Sequence, residues 1–140
     1  MKKTCILLLL FLLLLPTLFA CEQPPVPMSR RKTFSSQEEM IALMKGTWRT
    51  EPEKSIGGTT FHYIRIEADG SMTVHYCFED STGYEPVDSV YNVSPVFCPE
   101  EGLIRDSKGS TVWYAQLEPR VALIQKTGKT VSEYYHIELE

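Results

Sequence analysis

Basic sequence is scarce in this chain. The longest basic run is Arg30-Arg31-Lys32, and 14 Lys and Arg stand against 18 Asp and Glu, for a formal net charge of −4. A phosphate backbone needs a basic face, so no nucleic-acid partner is expected. Histidine is scarcer still: the three, His62, His75 and His136, lack the short paired spacings of a zinc site, and neither a metal nor a cofactor is expected. An activated nucleophile with an oriented base is also missing. Asp80-Ser81, Asp88-Ser89 and Asp106-Ser107 set an acid beside a hydroxyl. Neighbours on a strand point to opposite faces, however, and such pairs read as turn formers. The expectation is therefore a protein that is not an enzyme. Long apolar runs are lacking except for residues 6–19, broken by Pro16, which fall short of the ~20 residues needed to span a bilayer.

That single run has the parts of an export signal: Lys2 and Lys3 before it and the small residue Ala20 after it. Its end, Leu18-Phe19-Ala20-Cys21, resembles the lipobox of bacterial lipoprotein signal peptides. The resemblance implies that residues 1–20 are removed and that Cys21 carries the lipid, so that palmitate would label it. It also implies an envelope protein anchored to membrane through its N-terminal lipid. Glu22 is not the aspartate of an inner-membrane retention signal, which favours the outer membrane where the source has one. Without Lys2 and Lys3, 12 basic residues face 18 acidic ones.

Residues 21–34 hold Pro24, Pro25 and Pro27 with no apolar period, and they read as a lipidated tether. Extended at ~3.1 Å per residue, it would hold a domain up to about 40 Å from the bilayer. Of four cysteines, Cys5 would leave with the signal and Cys21 would be taken by lipid. Cys77 and Cys98 remain, and a disulfide between them is expected, with two buried thiols as the alternative, because sequence does not show whether their backbones approach.

One domain is expected over residues 35–140. Ser36-Gln37-Glu38-Glu39 is a capping-box sequence: the Ser36 hydroxyl can accept the Glu39 amide while the Glu39 side chain answers Ser36. Met40, Leu43 and Met44 then line one face of a short helix that Gly46 ends. Beyond it, brief apolar and β-branched segments alternate with Gly, Pro, Asp, Ser and Asn, the pattern of antiparallel strands. The expected strands are 47–51, 59–67, 71–79, 87–93, 102–105, 111–117, 120–126 and 130–139.

One hairpin has a legible register. A three-residue loop Ala68-Asp69-Gly70, with Gly70 in the left-handed bulge position, pairs Ile66 with Met72, Ile64 with Val74 and His62 with Tyr76, an apolar face apart from His62. The other face carries Arg65 with Thr73, Tyr63 with His75 and Phe61 with Cys77. His62 reads either as a core histidine bonded to the Tyr76 hydroxyl or to backbone, or as a ligand contact.

About eight short strands without crossover helices must close or stack to protect their edges. The fold expected is mainly β: a small antiparallel up-and-down barrel with one short N-terminal helix. Gly46-Thr47-Trp48, the hairpin Ile66-Glu67-Ala68-Asp69-Gly70 and the tyrosine-rich end Tyr134-Tyr135-His136-Ile137-Glu138-Leu139 resemble the bacterial lipocalin-like families over residues 36–140. The resemblance implies that Gly46 packs tightly at a barrel floor and that Trp48 plugs it. Such a barrel is either filled by its own side chains or holds one small ligand. Trp48, Tyr76, Phe78, Trp113, Tyr134 and Tyr135 read first as core. Two functions are open. A carrier would bind a small apolar ligand through His62, Ile64, Ile66, Met72, Val74 and Tyr76. An interaction or inhibitor-type lipoprotein would have a solid barrel and grip an envelope protein through loops, above all residues 80–88 with Tyr84 and Pro86.

Overall fold

The computed structural model describes residues 23–80 and 87–137. The signal segment, Cys21, the loop with Tyr84 and Pro86, and the last three residues lie outside the described residues.

The helix α1, Gln37–Met44, starts where the capping sequence puts it: Ser36 Oγ accepts the Glu39 amide at 3.1 Å. The reciprocal bond is displaced by one residue, because Glu39 Oε2 accepts from the Ser35 amide at 2.6 Å and the Ser35 hydroxyl at 2.5 Å. Those donors hold the Glu39 carboxyl below the usual range. Met40 and Met44 are buried, but Leu43, expected on the same face, is 58% exposed.

Ten antiparallel strands follow among the described residues: β1 Gly46–Arg49, β2 Glu53–Ser55, β3 Gly58–Ile66, β4 Met72–Asp80, β5 Val87–Val93, β6 Pro95–Cys98, β7 Leu103–Asp106, β8 Val112–Gln116, β9 Ala122–Thr127 and β10 Thr130–Ile137. Their order is β5-β4-β3-β1-β10-β9-β8-β7-β6, with β2 paired on β3. The two ends of this order are adjoining halves of one bent strand. Its first half pairs with β4 and its second with β7, and at the bend the Ser94 carbonyl accepts the Ser107 amide at 2.9 Å. The sheet thus nearly closes into a small barrel, with α1 across one end, the floor.

The β3–β4 hairpin has the expected register: Ile66 faces Met72, Ile64 faces Val74, His62 faces Tyr76 and Phe61 faces Cys77. Gly70 takes φ +84°, a left-handed value suited to glycine, while Asp69 Oδ1 accepts the Ser71 amide at 2.9 Å and so sets the turn. Gly46 is constrained twice. It has φ +122°, and a Cβ there would stand 2.6 Å from His136 Nε2. Trp48 lies beside it, buried, donating from Nε1 to the Met44 carbonyl at 2.9 Å and meeting the His136 ring edge to face at 4.9 Å. Indole and imidazole together close the floor above α1.

Two expectations fail here. No disulfide joins Cys77 to Cys98. Cys77 pairs across with Asp88, and Cys98 lies ten residues further along the bent strand, which at ~3.3 Å per residue is several times the ~5.5 Å a bridge tolerates between Cα atoms. The proline-rich segment is no free tether either. Val26, 1% exposed, packs with Leu103, Tyr114, Ala122 and Ile124 on the outer face of β7–β9. Arg31 holds it there, donating from Nε to the Val26 carbonyl at 2.8 Å and from Nη1 to the Glu101 carbonyl at 3.0 Å, with its guanidinium 4.7 Å above the Tyr114 ring. The Lys32 amide bonds the Ala115 carbonyl and the Leu117 amide bonds the Arg30 carbonyl, each at 2.8 Å. The segment is a strap along β8 that ends in buried Phe34.

Candidate ligand site

Alternation along each strand sorts the barrel interior into two tiers. Ile64, Ile66, Met72 and Val74, four of the six expected ligand contacts, are fully buried and pack with Trp48, Ile104, Leu123, Tyr134, Met40 and Met44. This lower tier is filled by its own side chains. The other two contacts, His62 and Tyr76, sit above it, towards the end of the barrel away from α1. Their rings meet edge to face with centroids 4.6 Å apart, an aromatic contact in place of the bond to the Tyr76 hydroxyl that was one of the expected alternatives. The backbone of His62 is clamped by Thr50, whose amide donates to the His62 carbonyl at 2.9 Å and whose Oγ1 accepts the His62 amide at 3.0 Å. Burial lowers the imidazole pKa, and the Glu53 carboxylate offsets part of that.

Above the packed tier, Val74, Tyr76, Tyr91, Asp106, Thr111, Trp113, Gln125 and Thr127 line a cavity of about 340 Å³. Its polar groups are positioned by one another. Asp106, only 6% exposed, accepts the Tyr91 hydroxyl at Oδ2 at 3.0 Å and the Lys108 amide at Oδ1 at 3.1 Å, so it both sets the β7–β8 turn and faces the cavity. The bond to this carboxylate pushes the Tyr91 pKa up. Gln125 Oε1 accepts Trp113 Nε1 and the Tyr134 hydroxyl, both at 3.0 Å. Burial pushes the Tyr134 pKa well above that of a free phenol, with a smaller contribution from Tyr76. Thr111 and Thr127 meet hydroxyl to hydroxyl at 2.8 Å.

The cup therefore offers a carboxylate, phenols, threonine hydroxyls and the faces of Tyr76 and Tyr91, and among the described residues no Lys or Arg lines it. Donor-rich, partly aromatic small molecules suit such a lining better than purely apolar ones. A second cleft of about 440 Å³ opens in the wall, because β1 stops at Arg49 while β3 and β10 run on. His62, Glu53, Ser132 and Glu133 line it, with Arg120 stacked 3.8 Å over Tyr135 and paired to Glu133 at 3.3 Å. Among the described residues no three metal-ligating side chains come together.

Sequence reasoning identified the inward residues of one hairpin and missed Tyr91, Asp106, Thr111, Gln125 and Thr127. One signal for them was available, the same alternation carried onto β8 and β9, where Trp113 faces Gln125. Asp106-Ser107 was read as a turn, which it is, and the second direction of the carboxylate was not visible. Tyr76 and Phe78, expected in the core, are exposed at the rim. No protein-family model, curated protein or solved structure matches this chain.

Proposed function

We propose that the protein is a lipid-anchored lipoprotein of the cell envelope whose barrel binds one small ligand in its open upper tier. The observation that carries the reading is the division of the interior: an apolar tier filled by Ile64, Ile66, Met72 and Val74, and above it a cavity of about 340 Å³ lined by hydroxyls, an amide and a carboxylate. The sequence Leu18-Phe19-Ala20-Cys21 supports the anchor. The ligand is amphipathic, with one flat or apolar part against Tyr76 and Tyr91 and donors for Asp106. Hydrogen-bond groups already held by Tyr91, Gln125 and the Asp106 turn lower the cost of ordering the site when a ligand enters.

Two experiments test the reading. Palmitate labelling marks wild type and not Cys21→Ser; equal labelling removes the anchor. A small-molecule extract of the source envelope raises the melting temperature of the purified protein, as any ligand that binds only the folded state must. Asp106→Asn combined with Tyr91→Phe abolishes the rise, and a rise unchanged in that variant moves the ligand out of the cup.

A second reading, a grip on an envelope protein, has one observation in its favour. Strand β5 ends the sheet order, and Val90 on its outer face is exposed. An exposed apolar edge suits an added strand from a partner.

A further inference from the structure

We propose that the floor of the barrel is a membrane-contact face that lies on the bilayer holding the lipid of Cys21. The inference rests on the lipid-anchor reading. Only Glu22, Gln23, Pro24 and Pro25 separate Cys21 from Val26. Fully extended, five residue steps cover at most roughly 18 Å. Because Val26 is buried in the wall and the strap after it is bonded to β8, the barrel cannot stand off as it would on a free tether. Some face of it is held within roughly 18 Å of the headgroups.

One cluster of exposed apolar side chains lies at the floor, beside the strap that leads back to Cys21. Leu43, Leu117 and Val121 are 58%, 47% and 58% exposed, and all three border one apolar groove of about 270 Å³ with Phe34 and Trp48 at its base. Met28, also exposed, belongs to the same strap as Arg30, whose carbonyl bonds the Leu117 amide. Large apolar side chains gathered on one end of a small domain mark a contact surface. Basic side chains in the patch can meet anionic headgroups, since Lys32 lines the groove, Arg30 lies on the strap and Lys45 caps α1, while the acids Glu38 and Glu39 of α1 and Glu118 in the adjoining turn make the charge of this end mixed. Exposed basic residues near a membrane surface favour anionic lipid. In this posture the cup, at the other end of the barrel, faces away from the membrane and stays open to its ligand.

The test uses the full lipidated protein, extracted in detergent and reconstituted into vesicles of phosphatidylethanolamine with phosphatidylglycerol. Intact mass first shows whether the diacyl modification is present; its absence defeats the anchor reading itself. With the modification present, deuterium uptake is compared between vesicles and detergent-free protein kept soluble at low concentration. The expected result is a loss of uptake in vesicles over residues 117–121 and at the C-terminal end of α1, with residues 107–111 and 128–129 unchanged. Leu117→Glu with Val121→Glu, both exposed positions that leave the core intact, abolishes that loss while the lipid mass is retained. Protection at 107–111 instead, or no difference between the states, overturns the proposal. Protection at 117–121 that grows with protein concentration without vesicles assigns the face to a second copy of the chain, and also overturns it.

Discussion

Replacing Gly46 by alanine should cost far more than the same change at Gly57, although both glycines have positive φ, +122° and +104°. Backbone strain at such angles costs a residue with a Cβ about 1–3 kcal/mol, and both substitutions carry that cost. At Gly57 nothing lies within 4 Å of the new Cβ, whereas at Gly46 it would sit 2.6 Å from His136 Nε2. The imidazole must move, and with it goes its edge-to-face contact on Trp48 at 4.9 Å. Such a ring pair is worth roughly 0.5–1.5 kcal/mol, so Gly46→Ala should exceed Gly57→Ala by about that amount. In a thermal melt that is a further drop of about 2–8 °C for a domain of this size. The assay is a double-mutant cycle by urea denaturation. In a His136→Ala background the extra cost at Gly46 should vanish, leaving the two glycine substitutions equal. An extra cost that persists without His136, or equal costs with it present, refutes the account of the floor.

Three other outcomes are expected. Ile66→Asp puts a carboxylate into the filled tier, where an Ile→Ala change alone costs about 2–5 kcal/mol, and should unfold the domain, whereas Arg65→Asp removes an exposed pair to Glu67 at 2.9 Å and should cost about 1 kcal/mol or less by urea melts. Because burial lowers the His62 pKa, the unfolded chain binds more protons than the folded one just below its ordinary value of about 6.5; stability should be full above that pH and fall as the pH drops through it, and His62→Gln should flatten the slope in melts across that range. Val26→Asp strips the strap of its buried anchor, worth about 1.5–3 kcal/mol, and trypsin should then cut at Arg30, Arg31 and Lys32 faster than in wild type while the barrel core survives, as mass spectrometry of the digest would read.

The legible parts of this fold were those that local chemistry dictates. The β3–β4 hairpin is set by Asp69 and Gly70 together with strict alternation, so its register could be read residue by residue. Strand β2 was missed because Glu53-Lys54-Ser55 has no buried side; it exists only as a ladder on Thr60, Thr59 and Gly58. Strand β6 opens with Pro95 after the bend at Ser94, and only its pairing with β7 makes it a strand. The strap was unreadable for a related reason. Val26 and Phe34 are lone apolar residues in polar surroundings, and what buries them is the distant face of β7–β9 and the floor. The expected bridge between Cys77 and Cys98 failed because cysteine bookkeeping carries no distance. For the site, alternation identified side chains that point inward, but which inward layer is filled depends on Trp48, Tyr134 and Met40 arriving from three other elements. The cup above it is built from Asp106, Gln125, Thr111 and Thr127, residues that in sequence look like ordinary strand ends and turns.

The division of the barrel into a filled tier and a ligand-holding tier is tested most directly by native mass spectrometry of the full protein released gently from its own membrane. The account predicts a wild-type mass carrying one small molecule beyond the lipid modification, lost in Asp106→Asn with Tyr91→Phe and retained in Arg65→Asp. A wild-type protein that emerges with no added mass, or an added mass that survives in the cup variant, would contradict it.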